Sequence, residues 1–106
     1  MLINFDVALT DISGHLVAEN GKDVSIKTLV TTALINNYAD ETGLAGEEKF
    51  SRFNLALRLH NTSGAVEVSV EELVLIKKLV TKAYTTLAVG RIYALIEENP
   101  PIVRAF

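Results

Sequence analysis

Chemistry near neutral pH would have to begin with His15 and His60, the two side chains whose ordinary pKa lies there. They stand far apart, and neither belongs to an H-x-x-x-H or H-E-x-x-H pattern that would set two ligands on one helix face. His15 follows Gly14 in a turn and His60 ends an expected helix, so surface or capping roles account for both. Carboxylates occur in adjacent pairs: Asp40/Glu41, Glu47/Glu48, Glu71/Glu72 and Glu97/Glu98. Adjacent helical residues point about 100° apart and do not converge on one cation. Two of the pairs also fall at expected helix N-termini, where the dipole favours acids. Ser13, Ser25, Ser51, Ser63 and Ser69 lack a G-x-S-x-G setting, and the glycines form neither a G-x-G-x-x-G nor a P-loop. Without cysteine there is no thiolate nucleophile, no disulfide and no Cys-held zinc or iron–sulfur centre. The expected catalytic, cofactor-binding and metal residues are therefore none, and an enzyme is not expected.

Charge narrows the partners. Thirteen acidic and ten basic residues leave a net charge of −3. The densest basic cluster, Lys77, Lys78 and Lys82, sits just after Glu71 and Glu72. A nucleic-acid-binding regulator using those lysines is an alternative, but the acidic total and the lack of aromatic interleaving or a helix-turn-helix signature oppose it. The longest charge-free run of the apolar C-terminal region, Ala83 to Gly90, is far below the roughly 20 residues that span a bilayer. The first ten residues carry Asp6 and no basic residue, unlike a signal peptide. A soluble protein without a membrane partner is expected.

These residues need elements to hold them. Hydrophobic residues make up 49% of the 106, enough for one core, so a single domain is expected over 1–106. Its parts are a β-hairpin region at 1–24, a helical region at 25–98 and an extended tail at 99–106. Ile3, Phe5, Val7 and Leu9 alternate with Asn4, Asp6 and Ala8, the period of a half-buried strand. Asp11-Ile12-Ser13-Gly14 supplies a turn, with His15 to Ala18 returning; Asn20-Gly21 marks a competing hairpin. Ser25 caps a helix expected to reach about Tyr38, with Ile26, Leu29, Val30, Ala33 and Leu34 as its buried stripe. After a loop at Asp40 to Gly46, a second helix begins near Glu47. Phe50, Phe53 and Leu57 are its expected core stripe; Leu55 and Leu59 lie on another side, so two neighbours are expected. Ser69 and Glu72 form a capping box before a third helix reaching about Thr81. A break near Thr81 to Thr86 leads to a last helix stopped near Glu98 by Asn99-Pro100-Pro101. The fold class is α+β, mostly α: an N-terminal β-hairpin packed on a small bundle of about four helices.

The last helix is apolar nearly all round, from Tyr84 and Leu87 to Ile96. Such a helix is either central in its own fold or shared with another chain. Gly90 in mid-helix costs about 1 kcal/mol relative to Ala. With Ala83, Thr86 and Ala94 it makes a small-residue stripe along which another backbone can approach, from the same chain or from a second one. The candidate interface is Tyr84, Leu87, Gly90, Arg91, Tyr93 and Ala94, with Ile102 and Phe106 of the tail.

Three stretches carry a resemblance. They are Asp11-Ile12-Ser13-Gly14; Gly46-Glu47-Glu48-Lys49 with Arg52-Phe53 and Ala56; and Ile76-Lys77-Lys78-Leu79 with Lys82-Ala83-Tyr84, Leu87 and Val89-Gly90. In order and spacing, from Leu9 to Glu98, the chain resembles small proteins of about this length encoded by tailed bacteriophages and prophages. That family has Gly-Pro where Thr85-Thr86 stands here, which leaves open two helices or one bent helix over 70–98. The resemblance implies a phage or prophage origin and the host bacterial cytoplasm; the family has no assigned activity. The expected function is a non-enzymatic accessory protein acting by protein–protein contact as a homo-oligomer, in virion assembly or host-protein interference. Its partners are then itself and a phage or host protein. A small-ligand-binding oligomer with its pocket at a subunit seam is a further alternative.

Overall fold

A computed structural model describes residues 1–97; the expected tail at 99–106, with Ile102 and Phe106, lies outside the described residues. The elements follow in the order β1 (Leu2–Asn4), β2 (Ala18–Glu19), β3 (Lys22–Asp23), α1 (Ile26–Ile35), α2 (Gly46–Asn61), β4 (Ala65–Glu67), α3 (Val70–Ala83) and α4 (Thr86–Glu97). The fold is α+β and mostly α, as the sequence implies.

Strand β1 takes a distant partner. It pairs antiparallel with β4, with Ile3 opposite Val66, and both of those side chains are buried. The Asp11–Gly14 turn forms as expected, with one bridge between Thr10 and Leu16. The regular hairpin is the tight one, β2 against β3 around Asn20-Gly21, where both turn residues take positive φ (53° and 80°). Asp6 ties the N-terminal segment down: it accepts from the Gly64 N–H at 2.7 Å and meets Lys27 Nζ at 2.8 Å. Lys27 also donates to the Thr62 carbonyl at 2.7 Å, so α1, α2's end and the N-terminus share one polar knot.

Helix α1 begins after Ser25 and stops at Ile35, three residues short of Tyr38, because Asn36 turns extended. Its stripe of Ile26, Val30, Ala33 and Leu34 is buried, and it packs mainly on α2 and then on α3. Helix α3 starts with the expected capping box: Ser69 Oγ accepts from the Glu72 N–H at 3.1 Å, and Glu72 accepts from the Ser69 N–H at 2.9 Å. Tyr84 is extended at its C-cap, so α3 and α4 are two helices.

Helix α2 corrects the expectation made for it. Its core stripe is Arg52, Leu55, Ala56 and Leu59. Phe50, Phe53 and Leu57 point outward at 63%, 50% and 43% exposure. The helix does have two apolar sides, but only the Leu55/Leu59 side enters the core, while Phe53 on the other lines a surface cleft with Ile35 and Tyr38. Ala56, small and central in the buried stripe, suits a close approach by α1 that two phenyl rings would hold off.

Candidate functional site

The expected interface residues separate into two groups. Helix α4 buries Ala88, Ile92 and Ile96, an i, i+4, i+8 stripe facing α3 and the core. On its opposite side Thr86, Leu87, Gly90, Arg91 and Ala94 line an open groove of about 660 Å³ together with Ile12. Leu87, Gly90, Arg91 and Ala94 are thus brought together. Tyr84 and Tyr93 are not. The Tyr84 hydroxyl donates to the Leu29 carbonyl at 2.6 Å, and burial raises its pKa. The Tyr93 ring lies under Lys77 Nζ, 5.1 Å from its centroid, with its hydroxyl 3.3 Å from Thr81 Oγ1. Both tyrosines serve packing within the chain.

A local device builds the groove's far wall. Asp11 Oδ1 accepts from the Ser13 and His15 N–H groups, each at 2.9 Å, and Gly14 closes the turn at φ 88°. Arg91 then clamps that turn to α4. Its Nε donates to the Thr10 carbonyl at 3.1 Å, and its Nη2 donates to the Asp11 carbonyl. The outcome is Ile12 held over the groove at 89% exposure. Ile12 is the most exposed large apolar side chain among the described residues, and the turn that carries it is fixed by a charged clamp rather than left as a loose tip. Gly90 adds to it: a Cβ built there would meet nothing within 4 Å, so no intrachain contact among the described residues needs the glycine.

The remaining candidates for chemistry are engaged in structure. Lys77 bonds Glu97. Lys82 reaches Asp40 at 3.1 Å and Glu41 at 3.3 Å, and Lys78 lies 4.0 Å from Glu41. The three lysines therefore face carboxylates rather than forming an open cationic strip. His15 stands 3.8 Å from the Asp11 carboxylate on the surface, and His60 is exposed on α2. Among the described residues no three His, Asp or Glu side chains group to hold a metal ion. No helix of the described residues is long and apolar enough to cross a membrane.

One buried polar centre has no counterpart in the sequence reading. Arg52 donates from both Nη atoms to the two Glu41 carboxylate oxygens, at 2.7 and 2.8 Å, with the side chains 5% and 10% exposed. Bonded at both oxygens, Glu41 is held down to a pKa of about 2. The pair borders a cleft of about 240 Å³ between the end of α1 and α2, lined also by Ile35, Tyr38, Lys49 and Phe53. Glu48, one helical turn before Arg52, is a secondary partner at 3.8 Å. A signal for this centre did exist: Arg52 shares a helical stripe with Leu55 and Leu59. Choosing that stripe as the core would have required a buried counter-ion.

No family model, curated protein or solved structure matches the chain.

Proposed function

We propose that this is a non-enzymatic accessory protein of a phage or prophage that works by protein–protein contact, self-associating and engaging a phage or host protein. The observation that carries this reading is the groove on α4, with Ile12 held above Leu87, Gly90 and Ala94. Burying one such aliphatic side chain and the groove beneath it contributes about 1.5–3 kcal/mol, the scale of a hot-spot residue. The order and spacing of Asp11–Gly14, Gly46–Ala56 and Ile76–Gly90 support the phage origin and, with it, action in the host bacterial cytoplasm. Carboxylate partners for Lys77, Lys78 and Lys82 weigh against nucleic acid.

The test is a pair of measurements. Affinity capture from host cells in lytic growth, run with wild type and with Ala94→Glu, should recover a protein with the first and lose it with the second. Light scattering after size exclusion should show wild type larger than one chain. Equal capture by both proteins defeats the groove, and a wild-type monomer at every concentration defeats self-association.

A further inference from the structure

We propose that the cleft between the end of α1 and α2 is a binding site for a small monocarboxylate carrying one aromatic or branched aliphatic group. The site lies within a single chain and away from the α4 groove, so it stands or falls apart from the protein contact proposed above.

Arg52, which lines this cleft, spends its two Nη atoms end-on against Glu41, at 2.7 and 2.8 Å. Its Nε–H, on the side edge of the same plane, is left over. Among the described residues that Nε is the one buried side-chain nitrogen or oxygen without a hydrogen-bond partner. Glu48 does not fill the edge: its carboxylate stands 3.8 Å from Nη2, beyond hydrogen-bond range, on a side chain 63% exposed. An unmet donor on a buried cation is costly. A second carboxylate, meeting Nε and the adjoining Nη side-on, answers it as Glu41 answers the other edge.

A second cation borders the same space. Lys49 lines the cleft and has no ion pair among the described residues. Glu41, also on the wall, is matched by Arg52, with Lys82 at 3.3 Å and Lys78 at 4.0 Å beyond it. With Asp40, which Lys82 also meets, and Glu48, the network sets four cations (Arg52, Lys49, Lys78, Lys82) against three carboxylates. One more carboxylate balances it. The remaining wall is apolar, from Leu34, Ile35, Leu44 and Phe53. Ile35 and Phe53, 62% and 50% exposed, gain a body to cover them. At about 240 Å³ the cleft falls below the roughly 300 Å³ at which drug-sized pockets begin, so it suits one ring or one branched chain.

Nitrogen-15 NMR of the full chain, following the Arg52 Nε–H, provides the test, with phenylacetate and 3-methylbutanoate as probes. Each should shift that resonance saturably, with a Kd in the high-micromolar to millimolar range. Phenylacetamide, the same shape without the charge, should bind at least about ten-fold more weakly. Lys49→Gln and Phe53→Ser, both at exposed positions, should each weaken phenylacetate about three- to ten-fold, while the unliganded melt stays at its wild-type value. Ala94→Glu, on α4, should bind phenylacetate as wild type does. An Nε–H that does not move at tens of millimolar probe overturns the site. Acetate binding as tightly as phenylacetate overturns it too, since that is an adventitious ion only. So does an affinity unchanged in both Lys49→Gln and Phe53→Ser.

Discussion

Arg52 is 4% exposed, the one charged residue of the described chain to enter the core; both of its Nη atoms are answered by Glu41, while its buried Nε has no hydrogen-bond partner among the described residues. Such a pair adds little net stability over a well-packed apolar pair, because removing two charges from water offsets most of their attraction. Breaking it is another matter. With Glu41→Gln the guanidinium keeps an amide oxygen but, as a charged partner, only Glu48, 3.8 Å away on the surface, so a loss of about 3 kcal/mol is expected. In a domain of this size that lowers Tm by roughly 15 °C, readable by calorimetry. The pH dependence has a definite sign. Glu41's pKa falls from 4.5 to about 2 on folding, so its contribution is complete above 4.5 and disappears as pH drops toward 2. Asp6, bonded by Lys27, and Glu72, bonded by Arg58, are also lowered and act in the same direction. Urea midpoints should therefore hold steady near neutrality and fall steeply in acid, with a shallower fall in Glu41→Gln. An equal slope in both proteins would assign the acid sensitivity to the other carboxylates. Nothing in sequence spacing pairs Arg52 with a loop residue so far upstream.

Among the elements, α3 was the most legible, because a capping box is a local reciprocal contact and Ser69 with Glu72 states it outright. Ser69→Ala should cost about 1 kcal/mol in denaturant midpoints, with α3 fraying first in hydrogen exchange. Helix α2 was legible only in part. The sequence shows two apolar sides, Phe50/Phe53/Leu57 and Leu55/Leu59, and periodicity carries no information about which one the fold buries. Packing against α1 decided it. For α4 the sequence marks an overly apolar helix, and the structure divides it into a core stripe of Ala88, Ile92 and Ile96 and an outward groove centred on Gly90. With nothing near a Cβ at that position, Gly90→Ala should stabilise the isolated chain by about 0.5–1 kcal/mol. A destabilised monomer would mean that the helix passes closer to a neighbour than this structure places it.

At the scale of the whole molecule, both turns near the N-terminus were legible, from Asp11–Gly14 and Asn20-Gly21, but the partner of β1 was not. Alternation at Ile3 and Phe5 announces a strand and says nothing of its neighbour, since pairing between distant segments leaves no local trace. That pairing, Ile3 opposite Val66, also sets a timetable for the chain as it is made. The opening strand leaves the ribosome first and has nothing to lie against until β4 follows. At about 5–20 residues per second that is a wait of several seconds. Throughout it Ile3 and Phe5, both sealed in the finished protein, stay available to chaperones and to other nascent copies. Residues 1–61 made alone should show no cooperative thermal transition and no slowly exchanging amides. A sharp melt from that fragment would mean that α1 and α2 hold together without the strand that closes the circuit.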